Sequence, residues 1–398
     1  MFNVDHLYSI LYSNLLQKHN LQGLVLKQFG KCETSKDIIP YPETPLFTHE
    51  DVYFYDQEPL GFSTKIPQSM YDVIRNLQED RWDLKYNIWA TSEKNNPLLD
   101  SFCKKNNLVK WYYFYHAFAS LDWLRSVQYM PRVNIYEGAS FISLNNLCDG
   151  PRVYRPLFVA KLYQQGLLGD GIVSYNAGDF SNNTFLSDKD RELLSKFSGY
   201  YRLQTSSYIK DNASAEMEHN LWTSAFWHIV SETCYYEKTN HLTEKTFKPI
   251  ASRQPFIILG TPGSLKYLKS YGFESFSTVI DESYDSITDP VERMDAVVTE
   301  VKKLSSLNQT DKKDMYNEIL PIIQHNYEHF YNGLFDLCWE ELTTNFKDAL
   351  DTISDRQEPV TKDIRISTLD KEILSYSALA GNFGRLFRDK FKTLLPKD

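Results

Sequence analysis

The chain has 398 residues, 42% hydrophobic and 24% charged, with a formal net charge of -9. That length and apolar content suit two domains of ordinary size and exclude a low-complexity or disordered chain. The acidic balance excludes a surface uniformly attractive to nucleic acid, leaving only a local basic groove for such a partner.

No apolar run approaches the ~20 residues needed to span a bilayer. Met1 to Leu16 lacks a basic segment and carries Asp5, unlike a signal peptide. The five cysteines are scattered, without a CxxC pair or metal-ligand spacing, which predicts free thiols in a reducing, cytoplasmic compartment. Aromatic residues are abundant, with 27 Tyr and 24 Phe, suited both to packing and to sugar-facing surfaces.

Apolar spacing predicts a helix over 3–19, then short strands at Leu24–Leu26 and Val52–Tyr55. A helix over Met70–Leu77, a strand at Asn87–Ala90 and a helix over Pro97–Lys105 follow. Lys110–Tyr115 reads as an aromatic strand and Ala117–Gln128 as a helix. Next come strands at Phe141–Leu144 and Gly171–Tyr175 around a helix over Arg155–Gln165, ended by Gly166. A charged helix is expected over Ser187–Phe197 within a polar, loop-rich stretch from 176 to 214. Ala225–Thr233 and Pro255–Gly260 read as strands, Gly263–Tyr271 as a helix and Thr278–Ile280 as a strand. Asp289–Leu304 and Asp311–Tyr331 read as long helices. This alternation is the mark of an α/β chain. It divides into an α/β domain at 1–138, a second at 139–345 and a tail at 346–398. Residues 381–398 of the tail form a basic amphipathic helix. That helix fits contact with a membrane surface or a nucleic-acid backbone, and equally a helix docked on the body.

Three polar clusters fall at strand ends, where ligands of open α/β sheets bind. In Tyr53-Phe54-Tyr55-Asp56-Gln57-Glu58-Pro59 an aromatic strand ends in two carboxylates. Such a carboxylate can take a proton from a hydroxyl, and it also suits an ordinary acidic turn. After Ser143-Leu144-Asn145-Asn146, a turn leads to Arg152 and Arg155 at a helix start. Arginine forks grip phosphate there, and exposed first-turn cations are the alternative. The third cluster is His241-Leu242-Thr243-Glu244-Lys245-Thr246-Phe247-Lys248-Pro249, just ahead of a buried strand and a Gly turn. A helix start with a hydroxyl, a carboxylate and two cations can hold a sugar hydroxyl and a diphosphate together. The same residues fit a capped helix with a salt-bridged surface.

Taken in order, the three clusters resemble the alpha-1,3-fucosyltransferase family. That family runs an aromatic strand into a Tyr-Thr-Gly-Glu-like turn bearing its proposed base. It then shows a Ser-Asn-Pro-like strand end with a following Arg, a Phe-Glu-Asn segment and a Val-Thr-Glu-Lys helix start. Here Tyr55-Asp56-Gln57-Glu58, Ser143 to Asn146 with Arg155, Ser231-Glu232-Thr233 and Leu242-Thr243-Glu244-Lys245 stand in those places. The second half also looks like glycosyltransferase-like proteins of large bacteriophages. That likeness rests on Leu242 to Lys248, Gly260-Thr261-Pro262-Gly263 and Gly272-Phe273 through Asp281-Glu282-Ser283-Tyr284-Asp285.

Both resemblances imply a GT-B architecture of two Rossmann-like domains facing a central cleft, with a C-terminal helical tail. They imply transfer of a sugar from a GDP- or UDP-sugar to a carbohydrate hydroxyl, with inversion and without a metal or further cofactor. Glu58 is then the base with Asp56 beside it. Asn145, Arg152, Arg155, Thr243, Glu244, Lys245 and Lys248 bind the donor, Glu244 at the sugar or ribose and Lys245 at the phosphate. A retaining enzyme would keep the donor site without that base. The phage likeness implies an alternative acceptor, a hydroxymethylated pyrimidine in DNA within a host cytoplasm. A non-catalytic sugar-nucleotide or glycan-binding protein, or a virion scaffold, are readings of other classes.

No apolar strand ends in Asp-x-Asp. Asp188-Lys189-Asp190 has the spacing, but at a helix start, where capping explains it. His325 and His329 share a helix face without the Glu of zinc proteases or an evident third ligand. His116, after the aromatic strand, is an alternative base.

Overall fold

In the computed structural model the described residues are 88–131, 133–175, 178–197, 217 and 219–354, with strand backbone at 26–28 and 52–54. The predicted helices at 3–19 and 70–77 and the basic helix at 381–398 lie outside them.

Strands form where short apolar runs are hemmed by polar turns. Parallel pairs join β1 (Leu26–Gln28) to β2 (Val52–Phe54) and β3 (Ile88–Thr91) to β4 (Val109–Tyr112). Of the predicted strand at Leu24–Leu26, Leu26 falls in β1, and Leu24 and Val25 lie outside the described residues. Helix α1 (Pro97–Lys105) links β3 to β4. Asn96 caps it by accepting from the Leu98 and Leu99 amides, and Pro97 occupies the first turn, where its missing N–H costs nothing. Helix α2 (Tyr115–Trp123) follows β4 directly.

The second unit is a four-stranded parallel sheet in the order β6-β5-β7-β8, from β5 (Ala139–Leu144), β6 (Gly171–Ser174), β7 (Ala225–Ser231) and β8 (Phe256–Leu259). Every residue of β7 and β8 is buried, His228 and Ser231 included, as in a covered parallel sheet. Helix α3 (Tyr154–Gln164) crosses from β5 to β6, and Gly166 ends it in the left-handed region at φ +73°. Helix α4 (Asp188–Lys196) starts in a capping box between Ser187 and Asp190, so Asp188-Lys189-Asp190 sits at a helix start and capping accounts for it. A single helical turn, α5 (His219–Trp222), precedes β7. Helix α6 (Glu244–Ala251) crosses from β7 to β8, and α7 (Ser264–Lys269) follows the Gly260–Gly263 turn. Three long helices complete the described chain: α8 (Pro290–Ser305), α9 (Gln309–Asn332) and α10 (Leu334–Ser354).

Thr278–Ile280 is not a strand despite its β-branched residues. The Phe276 carbonyl accepts from both the Val279 and Ile280 amides, closing a turn. Phe276 packs edge-on against Trp227 and Phe256, and that burial dictates the local path. Helix α10 runs unbroken through residue 346 and packs on β4. Trp111 donates to the Leu342 carbonyl at 3.1 Å, and its ring meets Phe346. The last described helix thus belongs to the packing of the first unit. No helix among the described residues is long and apolar enough to cross a membrane. Cys103, Cys148, Cys234 and Cys338 are buried and form no disulfide.

One buried carboxylate joins β7 to α6. Glu232, fully buried, directly follows β7. It accepts from the Thr243 amide at 3.1 Å, Thr243 Oγ1 at 2.7 Å, Thr246 Oγ1 at 2.6 Å and the Thr233 amide at 3.0 Å. A buried anion is tolerated only with such a set of donors. Glu232→Ala strands all four and is expected to lower unfolding stability by about 3 kcal/mol or more, read from urea denaturation, with Glu232→Gln losing less.

Candidate functional site

The chain leaves β5 toward β6 on one side and returns as β7 on the other. The loops after β5 and β7 therefore part at their carboxyl ends, and ligands of open α/β sheets bind in the crevice this makes.

Two buried arginines frame that edge. Arg155, in the first turn of α3, donates from Nη1 to the Leu147 carbonyl at 2.7 Å. Its Nη2 reaches the Ser231 and Glu232 carbonyls at 3.2 and 3.0 Å, and its Nε reaches the Tyr154 hydroxyl at 3.3 Å. It thereby ties the β5 loop to the end of β7. Protein oxygens occupy most of the donors that the sequence assigned to a phosphate. Arg293, which the sequence reading did not single out, does the same between β7 and β8. It donates to the Gly260, Ile287 and Tyr235 carbonyls at 3.0, 2.8 and 2.6 Å. A long apolar-flanked helix offers no sign of that role, since Arg293 resembles any surface cation at its position.

Asn145 ends β5, 4% exposed. Its Nδ2 donates to Ser143 Oγ at 3.2 Å and the Ser174 carbonyl at 3.1 Å. Its Oδ1 is buried without a hydrogen bond, and so is Ser231 Oγ at the end of β7. Arg152 lies half-buried in the turn ahead of α3.

The start of α6 carries the densest chemistry. Thr243 caps it by accepting from the Lys245 amide at 3.4 Å. Lys245 Nζ donates to Glu244 Oε1 at 2.8 Å and to Thr233 and Thr243 Oγ1 at 3.2 Å each. Its side chain keeps 34% of its exposure, whereas Glu244 keeps 5%. Lys248, one turn on, is buried, with its ammonium 5.6 Å from the centroid of the Trp222 ring. Trp222 precedes β7, so Lys248 leans toward the amino end of the sheet rather than the crevice.

His116, at the start of α2, comes to the same place from the first unit. Its Nδ1 lies 3.7 Å from Glu244 Oε2 and makes no hydrogen bond. The ring stands edge-on to His241, centroids 5.0 Å apart. The Ser92 backbone favours the His241 proton, yet neither of its ring nitrogens makes a hydrogen bond of standard geometry. A main-chain bridge between Lys94 and Asn240 holds these segments together, at 3.1 and 2.9 Å.

Burial pushes His116 down to about 4; neighbouring His241 and Lys245 add to this against the pull of Glu244. Burial, then Lys245, likewise lowers His241 to about 4. Both are therefore neutral near pH 7, and the approach of His116 to Glu244 is not an ion pair there. Burial alone would raise the Glu244 carboxyl, but Lys245, His116 and Lys248 outweigh it and hold it at about 2. The site thus carries a fixed carboxylate, a half-exposed ammonium and two neutral imidazoles.

Asp56 and Glu58 lie outside the described residues. His325 and His329 give their Nε2 atoms to the Gly272 and Tyr271 carbonyls, at 2.8 and 2.5 Å. No group of three or more potential metal ligands occurs among the described residues. Of the phage-like segment, Asp285 caps α7 by accepting from the Leu265 and Lys266 amides, and Glu282 accepts from Ser275 and Phe276.

His116 and His241 bind protons more weakly when folded than at the ordinary 6.5, so unfolding takes up protons between about pH 6.5 and 4. His228, lowered to about 3 by burial and then Lys248, acts in the same sense. Stability is expected to be full above pH 6.5 and to fall steadily toward pH 4. Urea midpoints at stepped pH check this, and His116→Gln should flatten the slope.

No family model and no curated protein matches the chain. Solved structures do. The chain is similar to an alpha,alpha-trehalose 6-phosphate synthase from Burkholderia multivorans over 80% of this chain and 74% of that one, at 10% identity and TM-score 0.39. It is similar to an alpha,alpha-trehalose-phosphate synthase (UDP-forming) from Burkholderia vietnamiensis over 78% and 69%, at 10% identity and TM-score 0.37. A co-structure of S. aureus MnaA with UDP matches 85% of this chain and 100% of that one, at 11% identity and TM-score 0.31. Each is a likeness of general fold.

Proposed function

We propose that the chain is a glycosyltransferase that moves a sugar from a nucleotide-sugar, a GDP- or UDP-sugar, to a hydroxyl of a carbohydrate acceptor, in a GT-B arrangement of its two α/β units. One observation carries this reading. Buried polar atoms that make no hydrogen bond of standard geometry, Asn145 Oδ1, Ser231 Oγ, His116 Nδ1 and the His241 ring nitrogens, come from four chain segments to the strand ends and the start of α6. Other such atoms lie elsewhere among the described residues, but five of the twelve gather here, and a bound polar ligand would supply what they lack.

The donor's diphosphate lies at the Thr243-capped start of α6, against Lys245 and Arg152. Backbone amides and the ammonium offset its charge there without a metal. Glu244, ionised and already held by Lys245, offers Oε2 to a sugar or ribose hydroxyl. Arg155 acts by keeping the two loops at a fixed separation. In the reaction the acceptor oxygen bonds to the anomeric carbon as the carbon–phosphate oxygen bond breaks. The electron pair leaves on the diphosphate, and the acceptor proton passes to Glu58 with inversion. Asp56 stands beside that base in sequence.

Two measurements test this. In a thermal-shift series with UDP, GDP, CMP and their sugars, one nucleotide should raise the melting temperature, by about 2.7 kcal/mol of stabilisation at a hundredfold excess over Kd. Lys245→Ala should abolish the shift, and the absence of a shift with every nucleotide would sink the reading. Glu58→Gln should cut transfer by roughly 100-fold or more while leaving the donor's thermal shift intact. Unchanged turnover would remove Glu58 as the base, and a matching loss in His116→Gln would move that role to His116.

A further inference from the structure

A second cavity, of about 310 Å³ and of mixed polar and apolar lining, opens beside β4 and α10 and is separate from the crevice at the start of α6. Its volume is at the lower end of the range for small-molecule sites. Lys94 and Lys110 contribute two cations to its lining, and Glu341 and Asp348 two carboxylates. Asn95 and Asn345 add amides, and Tyr112 adds a ring.

One wall is rigidly built. Lys94 Nζ donates to Glu341 Oε1 at 2.7 Å and to the Tyr271 hydroxyl at 3.4 Å. It stands 5.2, 5.8 and 5.1 Å from the ring centroids of Tyr112, Tyr267 and Tyr271. Tyr271 donates to Glu341 Oε2 at 2.6 Å and shares a hydrogen bond with the Tyr112 hydroxyl at 2.9 Å. Asn345 Nδ2 donates to the Tyr112 carbonyl at 3.0 Å, which commits one of its amide hydrogens. Such a network holds its polar groups in place before a ligand arrives, which lowers the ordering cost of binding.

Lys94 is paired with Glu341 and Lys110 with Asp100, so the lining offers no unneutralised cation to an anion and does not favour a phosphate. What it offers is a dense set of donors and acceptors with apolar patches at Val109 and Ala349. A neutral ligand rich in hydroxyls matches that mixture. The cavity also adjoins the transfer site. Lys94 pairs through its main chain with Asn240, Asn95 Nδ2 donates to Asn240 Oδ1 at 3.0 Å, and the next residue, His241, packs on His116 beside Glu244.

We propose that this cavity is a carbohydrate-binding subsite that seats one or two neutral sugar rings of the acceptor glycan. Its assignment to the acceptor rests on the transferase reading, whereas its affinity for sugars does not.

The test is saturation-transfer NMR on the full chain without nucleotide, using methyl glucoside, methyl galactoside, methyl mannoside, maltose and lactose. Asp348 is exposed on α10, so Asp348→Trp fills the mouth of the cavity without disturbing the core. At least one sugar should receive saturation from the wild type, lose it in Asp348→Trp and keep it in Lys245→Ala. Inorganic phosphate should not compete. The nucleotide thermal shift should be unchanged in Asp348→Trp. No transfer to any of the five sugars, transfer that survives Asp348→Trp, or displacement by phosphate would each overturn the subsite. A missing nucleotide shift with sugar binding intact would overturn the donor reading alone.

Discussion

The hydrogen-bonded carboxylate of Glu232 is the constraint on which the rest of the site depends. It is fully buried and takes two backbone amides and two threonine hydroxyls. A lone buried anion costs several kcal/mol, so the fold keeps it only by bringing Thr243 and Thr246 to the end of β7. That sets where α6 begins. Glu244 and Lys245 are presented at the strand ends because the two residues flanking them, Thr243 and Thr246, are tied from behind. Tyr154 adds to the same tie by donating to the Glu232 carbonyl, and it stacks on Tyr235 at 4.3 Å.

The two units meet through specific polar contacts laid over aromatic packing. Phe114 of the first unit touches Phe247, Tyr267 and Tyr271 of the second. Around that apolar contact sit the Lys94–Asn240 bridge and the His116–Glu244 approach. Burial keeps His116 and His241 neutral, so no excess positive charge collects where the two units join. The price is ring nitrogens without a hydrogen bond of standard geometry, which is tolerable at a ligand site and wasteful in a core.

Charge at the crevice is sparse despite a motif rich in cations. Arg155 is committed to main-chain carbonyls and Lys248 faces an aromatic ring. Lys245 retains exposure while bonded to Glu244 and two hydroxyls. An anionic ligand here would therefore meet oriented amides, the Lys245 ammonium and Arg152 rather than a broad basic field. That arrangement accords with a chain of net charge -9.

Local chemistry was enough to read most of the elements. Asn96-Pro97, Ser187 with Asp190, Asp289-Pro290 and Gly166 mark helix ends by groups that act within one turn. The buried strand β8 follows from an unbroken apolar run, and β7 from one interrupted only by His228 before Ser231 ends it. Thr243-Glu244-Lys245 was legible as a helix start with a carboxylate and an ammonium side by side, because neighbours in sequence stay neighbours in a cap. Partners distant in the chain were not legible. Arg155 looked free for phosphate because the carbonyls that occupy it, at Ser231 and Glu232, are more than seventy residues away. His116 gained its place beside Glu244, and Lys94 its cage of tyrosines, only when separate segments packed. Thr278–Ile280 lost its strand to the burial of Phe276. Propensity and capping act over a few bonds and are written in order along the chain. Burial and the satisfaction of buried polar groups act through space, so their outcome exists only once the chain has folded.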